Sequence, residues 1–581
     1  MCVLFEVWAP LAQRVEILID ERTRRLDPDP SREGWWHAEL SAPAGTRYAY
    51  VLDGGPPLPD PRSRRQPDGP DGPSAVVDHD AFAWSAPWPG RGLPGAVLYE
   101  LHVGTFTAQG TFDAAVERLP HLARLGITHV QLMPVCPFPG TNGWGYEGVS
   151  LWAVHEPYGG PEAMKRFVDA AHRHGLGVVL DVVHNHLGPS GNHLPPFGPY
   201  FTDRHHTPWG DAVNLDAPGS DEVRSFLIGS ALAWLRDYRL DGLRLDAVHA
   251  LVDTRALHFL EELSTAVDGL SAAVGRPLFL IAESDLNDPR TTAPREAGGL
   301  GLHAQWNDDF HHALHTAVTG EAQGYYADFA AAGPAALAKV LGHGFFHDGS
   351  HSSFRGRHHG RPLDPAAFPG HRLLGYAQTH DQIGNRATGD RLTAQQLAAA
   401  AALVLTSPFT PMLFMGEEWG ASTPWQFFTD HHDPELGAAI TRGRRREFAA
   451  HGWAEQDVPD PQDPATRDRS CLDWAEPDKP EHRELLDWYR ALIALRRSEP
   501  ALTDPQLDAV TATAGGRTLR VARGPFRIVV NFSDTPARVP LNTPCEMVLA
   551  RPGCKILPGP AVQLPARGAA VLRTTGATVD R

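Results

Sequence analysis

The sequence predicts an α/β protein in which a (β/α)8 barrel is flanked by a small β-sandwich at each end. In the middle of the chain, short strand-like runs alternate with helical segments, and eight strand candidates can be identified there. Both ends lack the helical period and contain short β runs bounded by turn residues. Because 581 residues are too many for one hydrophobic core, several domains are expected.

The composition is that of a soluble globular protein, with 42% hydrophobic and 21% charged residues. A net charge of −17 argues against nucleic acid or an anionic membrane as a partner. The longest purely apolar run, residues 397–405, is too short to span a bilayer. The five cysteines are scattered and no export signal precedes the first strand, so we expect a cytoplasmic protein.

The first predicted domain, residues 1–88, reads as an immunoglobulin-like β-sandwich. Its strand-like runs are separated by turns and lie at residues 4–8, 15–19, 35–40 and 48–52. The stretch 54–72 is rich in Pro, Gly, Asp and Arg and is predicted to be a loop.

The second predicted domain, residues 89–502, carries the barrel, a TIM-type fold enlarged by inserts at 187–220 and 422–481. Its strand candidates lie at residues 96–104, 129–135, 177–183, 242–246, 279–283, 303–307, 373–379 and 411–416. The clearest helical segments are 111–125, 161–175, 221–237, 254–267 and 485–497. The insert 187–220 is predicted to be irregular, and the insert 422–481, which shows little periodicity, is predicted to be a long excursion on the active-site side of the barrel. Residues 503–581, with β runs at 518–522 and 526–530, predict a C-terminal β-sandwich.

Four of the barrel strands end in polar clusters, at residues 181–186, 244–246, 283–285 and 379–386. Because the carboxyl ends of parallel barrel strands meet at one rim, Asp246, Glu283 and Asp381 are expected to converge. Two such carboxyl groups can cleave a glycosidic bond with retention: one attacks the sugar and the other protonates the leaving oxygen.

The surroundings of two of these carboxyl groups predict different roles for them. Arg244 shares a strand face with Asp246 and should hold that carboxylate ionised at neutral pH, as a nucleophile requires. Glu283 ends the apolar run 279–282, where desolvation should raise its pKa, as a general acid requires. Taken alone, Arg244 and Asp246 could equally form a structural ion pair.

In this order and spacing, the four clusters resemble the signature regions of the α-amylase superfamily of glycoside hydrolases, over residues 98–497. The resemblance implies that Asp246 is the nucleophile, Glu283 the acid/base and Asp381 the carboxylate that grips the distorted sugar. It also implies that Tyr146, His186, Arg244 and His380 line the subsite of the cleaved sugar. Thr379 departs from the pattern, since most members have asparagine there.

Within the superfamily the chain is most similar to the maltooligosyltrehalose trehalohydrolase family. The similarity lies in residues 99–106, 184–189, 199–203, 247–249, 283–288 and 305–312. It implies an oligosaccharide substrate, maltooligosyltrehalose, whose α-1,4 bond to the terminal trehalose is hydrolysed. The family's substrate-binding stretches match Arg244, Leu245, Ala247, Val248, His249, Asp308, Asp309, Phe310, His311, His312, His380, Gln382, Ile383, Gly384 and Asn385.

Two other functions are compatible with parts of this pattern. A glycogen branching enzyme shares the barrel and the N-terminal β domain but transfers the glucan to another sugar. A non-catalytic α-glucan-binding protein is less compatible, because all three carboxylates are present.

Neither a cofactor nor a metal ion is predicted. Asn185 lies where many amylases bind calcium, but the insert after it lacks a cluster of oxygen ligands. The histidines between residues 343 and 359 have irregular spacing, which is typical of a solvated loop. The sequence does not predict an oligomeric state.

Overall fold

The structure is a computed structural model that describes residues 2–207, 210–449 and 453–575. Parts of the predicted domains and of both predicted inserts, namely residues 1, 208–209, 450–452 and 576–581, lie outside the described residues. A closed barrel of eight parallel strands forms the centre and confirms the predicted fold class. The strands are β1 Leu98–Leu101, β2 His129–Leu132, β3 Gly177–Val182, β4 Gly242–Leu245, β5 Phe279–Ala282, β6 Ala304–Trp306, β7 Leu373–Tyr376 and β8 Thr410–Phe414.

Each barrel strand pairs with its neighbour in sequence, and β8 closes the ring on β1. Alternating side chains of the strands fill the interior with a separate apolar cluster that includes Phe279, Ile281 and Trp306. On β4, Leu243 and Leu245 belong instead to the larger outer core. The Arg244 guanidinium lies 4.3 Å from the Trp306 ring centroid, on the inner face, as the alternation on β4 predicts.

Helices cover the outside of the barrel and bury their apolar stripes against the strands. The main ones are Phe112–Val116, Leu119–Leu125, Gly160–Arg173, Ser220–Asp237, Phe259–Val274, Asp308–Thr319, Pro334–His343, Ala394–Val404 and Pro480–Ser498.

The helix predicted at 254–267 begins five residues later, at Phe259. The delay has a local cause, because His258 is the cap residue and accepts the backbone N–H of Leu260 at 3.1 Å. Asp253 accepts the N–H of Phe259 at 2.7 Å and pairs with the buried Arg224 at 2.6 Å. The segment between Asp253 and Phe259 is therefore held as a loop.

The two inserts contain more regular structure than the sequence predicts. The first holds a hairpin of Phe201–Thr207 and Gly210–Val213. The second was predicted to be a long excursion with little periodicity, and it contains the helices Pro434–Ala449 and Pro464–Arg469. The longer helix is docked by Arg444, which donates to the Gly384 carbonyl and packs on two phenylalanine rings, at 4.9 and 5.0 Å from their centroids.

Both ends of the chain form β-sheets. At the N-terminal end, Cys2–Trp8 pairs with Trp35–Ser41 in one sheet, and Val15–Ile19 pairs with Arg47–Leu52 in another. At the C-terminal end, a sheet of five strands is centred on Phe526–Asn531, and three more strands form a second sheet. The boundaries at residues 88 and 502 stay predictions. Across the described ranges, no helix is long and apolar enough to cross a membrane.

Candidate active site

A cleft of about 570 Å³ opens at the carboxyl ends of the barrel strands. Asp246, Glu283 and Asp381 all line it, although they follow three different strands, β4, β5 and β7. The other lining residues are Trp144, Tyr146, Glu147, His186, Leu187, Gly188, Pro189, Ala247, His249, His380, Phe427, Leu436 and Ile440. Leu436 and Ile440 come from the helix of the second insert, so that insert forms one wall of the cleft.

Asp246 is held by one donor on each carboxylate oxygen. Arg244 Nη1 donates to Oδ1 at 2.8 Å, and Asn185 Nδ2 donates to Oδ2 at 2.8 Å. Arg244 is completely buried and also donates to both oxygens of Asp181 at 2.8 Å. Its second amino group, Nη2, lies 3.0 Å from Glu283 Oε2. One guanidinium therefore contacts three carboxyl groups and fixes the separation of the two predicted catalytic ones.

Glu283 accepts a hydrogen bond from a backbone amide and also contacts Arg244. The chain turns sharply after Asp246, with Ala247 at φ 37°, and the Ala247 N–H donates to Glu283 Oε2 at 2.7 Å. Burial raises the pKa of Glu283 well above its ordinary value, against the opposing charge of Arg244. This is the direction that its apolar strand predicts. A carboxyl group protonated at neutral pH can act as a general acid.

Asp381 lies beside a charged histidine. His380 Nε2 lies 3.4 Å from Asp381 Oδ2, and Asn385 Nδ2 donates to Asp381 Oδ1 at 3.3 Å. Although burial opposes ionisation, the charge of His380 lowers the pKa of Asp381 to about 2. Asp381 is therefore a carboxylate throughout the physiological range.

Tyr146 and His186 form an aromatic side of the cleft. The Tyr146 hydroxyl donates to Asp181 Oδ2 at 2.6 Å, and its ring stacks on His380 with centroids 5.0 Å apart. His186 Nε2 lies 2.9 Å from the Tyr146 carbonyl oxygen. Burial lowers the pKa of His186, which favours the neutral imidazole.

The helix Asp308–Thr319 carries five predicted substrate-binding residues, which lie in different surroundings. Asp308 accepts hydrogen bonds from the Tyr376 hydroxyl at 2.6 Å and from Gln382 Nε2 at 3.2 Å. His312 stacks on Tyr325, with ring centroids 4.6 Å apart. Asp309 accepts the backbone amides of residues 346 and 347, both at 2.8 Å, and so fixes the loop that follows the next helix.

Several predicted substrate-binding residues do not reach the cleft. Asp308, His312, Gln382 and Asn385 are not among the residues that line it, and the others are buried: Leu245, Val248, Asp309, Phe310, His311, Ile383 and Gly384. They shape the backbone that carries their neighbours. Phe310, for example, is completely buried and packs edge-on against Phe409 at 5.2 Å.

Three polar residues that organise the cleft have no role predicted from the sequence: Glu100, Asp181 and Asn185. Glu100 is completely buried on β1 and contacts His380. Burying a charged residue in an apolar strand costs free energy unless the charge is paired. The acidic residues Glu100 and Asp181 within such strands could therefore have indicated buried partners. Asn185 binds Asp246 and His186, so its side chain is used within the protein. Within the described ranges, no three His, Cys, Asp or Glu side chains are placed to hold a metal ion.

Comparisons with known proteins agree with the class of enzyme that the sequence resemblance implies, a glycoside hydrolase. A model of the alpha-amylase catalytic domain matches residues 78–194. Malto-oligosyltrehalose trehalohydrolase of Rhizobium sp. (strain M-11) is 55% identical, over 98% of this chain and 97% of that protein. The protein of the same name from Arthrobacter ramosus is 57% identical, over 92% and 94%. A crystal structure from Salmonella typhimurium, described as an alpha amylase, superposes with a TM-score of 0.90 at 38% identity, covering 99% and 98% of the two chains.

The closed barrel with its carboxylate-lined cleft defines a glycoside hydrolase of the α-amylase superfamily. Within that superfamily, the chain belongs to the malto-oligosyltrehalose trehalohydrolase family.

Proposed function

We propose that this enzyme hydrolyses the α-1,4-glucosidic bond between the malto-oligosaccharide and the terminal trehalose of maltooligosyltrehalose, releasing trehalose with retention at the cleaved carbon. The observation that carries the proposal is the placement of three carboxyl groups around one cleft, in a chain of this family. Arg244 fixes two of these groups relative to each other.

In the first step, Asp246 attacks the anomeric carbon of the sugar on the non-reducing side of the scissile bond. Glu283 gives its proton to the glycosidic oxygen, so that trehalose leaves with a complete hydroxyl group. A covalent ester then joins the glucan to Asp246. Oε1 of Glu283 receives no hydrogen bond from the described residues, and this is the oxygen that carries the proton.

In the second step, Glu283 acts as a base. It takes a proton from a water molecule, whose oxygen attacks the anomeric carbon and displaces Asp246. Asp381 accepts hydrogen bonds from hydroxyl groups of the distorted sugar in both transition states. Tyr146, stacked on His380, offers an aromatic face to the same sugar.

Recognition of trehalose is assigned to groups beyond the cleavage point. In trehalose both anomeric carbons are joined in an α,α-1,1 link, so the two rings meet at an angle that maltose does not adopt. Asp308 and Gln382, which bond each other at 3.2 Å, and the stacked ring of His312 are the candidates from the matched stretches. The five cysteines, none of them in a disulfide, support action in a reducing cytoplasm.

Product analysis tests this function against the branching-enzyme alternative. The purified enzyme is incubated with maltooligosyltrehalose, and free trehalose is measured by chromatography. Stoichiometric release of trehalose and a shortened glucan is the expected result. Newly branched glucan without trehalose would favour the glucan transferase, and no reaction at all would favour a non-catalytic glucan-binding protein.

A further inference from the structure

A buried carboxylate lies behind the cleft, where it does not contact the substrate. Glu100 on β1 is 0% exposed. Its Oε2 accepts the backbone N–H of His380 at 2.9 Å, and its Oε1 lies 2.8 Å from His380 Nδ1. One side chain therefore fixes both the backbone and the ring of the residue that precedes Asp381. Gln131 Nε2 donates to the same Oε1 at 3.3 Å and holds Glu100 in turn.

The hydrogen bonds around His380 also fix its two ring protons. Tyr146 has one hydroxyl hydrogen, which it donates to Asp181, and Asp181 is ion-paired with Arg244. The Tyr146 oxygen lies 2.8 Å from His380 Nε2 and must accept a hydrogen from that nitrogen. Nδ1 faces an oxygen of Glu100, which can only accept when ionised. Because both nitrogens donate, the ring is an imidazolium.

Charged groups on several barrel elements surround this cation. Glu100 faces it from β1, Asp181 from β3 through Tyr146, and Asp381 from its own helix at 3.4 Å. Arg244 on β4 is the opposing cation, and the nearby His102 is neutral because burial lowers its pKa to about 3. Burial disfavours the charge on His380, but Asp381 and Glu100 together raise its pKa well above the ordinary value.

We propose that Glu100 is a positioning residue for the hydrolysis, acting through His380 to hold a protonated imidazole against Asp381 and Tyr146. This inference rests on the proposed function. The imidazolium keeps Asp381 ionised and orients the Tyr146 ring by stacking. The competing explanation is that Glu100 only satisfies a buried amide and contributes to folding.

Glu100→Gln separates the two explanations. A carboxamide cannot accept at both positions, and its NH2 group placed against Nδ1 turns that nitrogen into an acceptor, which leaves His380 neutral. We expect kcat to fall roughly ten- to a hundredfold, with KM changed by less than about threefold. The acid limb of kcat/KM should move to higher pH, because Asp381 loses the neighbouring positive charge.

A double-mutant cycle with His380→Gln measures whether the effect of Glu100 on kcat depends on His380, which a purely structural role of Glu100 does not predict. In the His380→Gln background, Glu100→Gln should lower kcat by a further factor of less than about three, because the imidazole ring through which Glu100 acts is absent. An equal fold-loss in both backgrounds would overturn the proposal. Glu417→Gln is the matched control, because Glu417 is also completely buried near the barrel strands but bonds Tyr489 instead of His380. It should leave the pH profile unchanged.

If Glu100→Gln does not fold, as judged by circular dichroism, the same cycle is run with Glu100→Asp. Aspartate keeps the charge but can reach only one of the two donors, so a loss of kcat without a shift of the acid limb is expected. Additive losses would again overturn the role. Trehalose release by the wild type, measured in the same assay, tests the proposed function separately. Its absence contradicts that function, whereas additive variants of an active wild type contradict only the role of Glu100.

Discussion

Arg244 contacts two carboxyl groups to which the proposed mechanism assigns opposite protonation states. Asp246 receives a donor on each oxygen, from Arg244 and from Asn185. Glu283 receives both of its contacts, from Arg244 and Ala247, on Oε2. A donor on each oxygen fixes the orientation of the Asp246 carboxyl group, which agrees with its proposed role as the nucleophile. Glu283 keeps one oxygen for a proton.

Asp246→Asn should abolish turnover and leave the fold intact. The amide keeps the size of the side chain but cannot form the glycosyl ester, so a loss of several orders of magnitude in kcat is expected. Trehalose release and the thermal midpoint are measured on the same preparation. Activity above about a tenth of the wild-type value would exclude Asp246 as the nucleophile.

Glu283→Gln should be nearly inactive on the natural substrate, whose leaving sugar needs a proton. On a glycosyl fluoride the first step needs no proton, so formation of the covalent intermediate should be largely restored. The alkaline limb of the wild-type profile reflects loss of the Glu283 proton, because burial raises its pKa. That limb should be missing from the first step of the variant. Equal losses on both substrates would indicate a structural role.

At the scale of elements, the barrel strands were predictable because buried parallel strands are short apolar runs that end in polar residues. Runs such as 177–183 and 279–283 therefore lie within a residue or two of the observed strands. The long helix of the second insert was missed because its apolar positions are few. Leu436, Ile440 and Phe448 have helical spacing, but the positions between them hold two glycines, a threonine and four arginines besides two alanines and a glutamate. A contact of Arg444 with the distant Gly384, at the end of the short helix His380–Gly384, stabilises it, and a local pattern does not reveal such a contact.

In the candidate site, too, features that depend on neighbouring residues could be predicted from the sequence, and features that depend on distant residues could not. The three carboxylates each follow a recognisable strand, so their convergence could be predicted from barrel geometry alone. Arg244 could be predicted as the partner of Asp246 because it lies on the same strand, but partners from other strands could not be predicted. Glu100 and His380 are separated by 280 positions and meet only when β1 and β7 close into one ring.

A prediction on substrate specificity concerns residues of the helix Asp308–Thr319. Alanine at Asp308 or His312 should reduce cleavage of maltooligosyltrehalose more than cleavage of plain malto-oligosaccharide. Leaving a buried polar group of the substrate without its hydrogen-bond partner costs about 1–3 kcal/mol, so the ratio of the two kcat/KM values should shift roughly ten- to a hundredfold. Asp309→Ala is the informative comparison, because Asp309 bonds backbone amides away from the cleft.

That comparison variant should lower stability and affect both substrates equally. Both substrates are assayed side by side with each of the three variants. A proportional fall on both substrates for Asp308→Ala and His312→Ala would mean that trehalose is recognised elsewhere.

At the scale of the whole molecule, the barrel buries several carboxyl groups whose protonated forms the fold favours. Burial raises the pKa of Asp181 to about 6, of Asp309 to about 7 and of Glu417 to about 8. In the unfolded chain these groups titrate near 4. Through these three groups the folded protein binds more protons than the unfolded chain between about pH 4 and pH 8, so their contribution to stability falls as the pH rises through that window. Buried histidines such as His102, whose pKa burial lowers to about 3, act in the opposite direction below about pH 6.5.

Glu417 is the clearest test of this linkage, because it lies outside the cleft. Its contribution to stability is complete below its unfolded pKa and is lost as the pH rises through its folded pKa of about 8. Glu417→Gln stays neutral at every pH and can still bond Tyr489. Between pH 5.5 and 8.5, the thermal midpoint of the wild type should therefore fall relative to that of the variant, by at least about 2 °C. The exposed Glu33→Gln should track the wild type. Parallel curves for all three proteins would show that Glu417 is ionised in the fold and that another group sets the pH dependence.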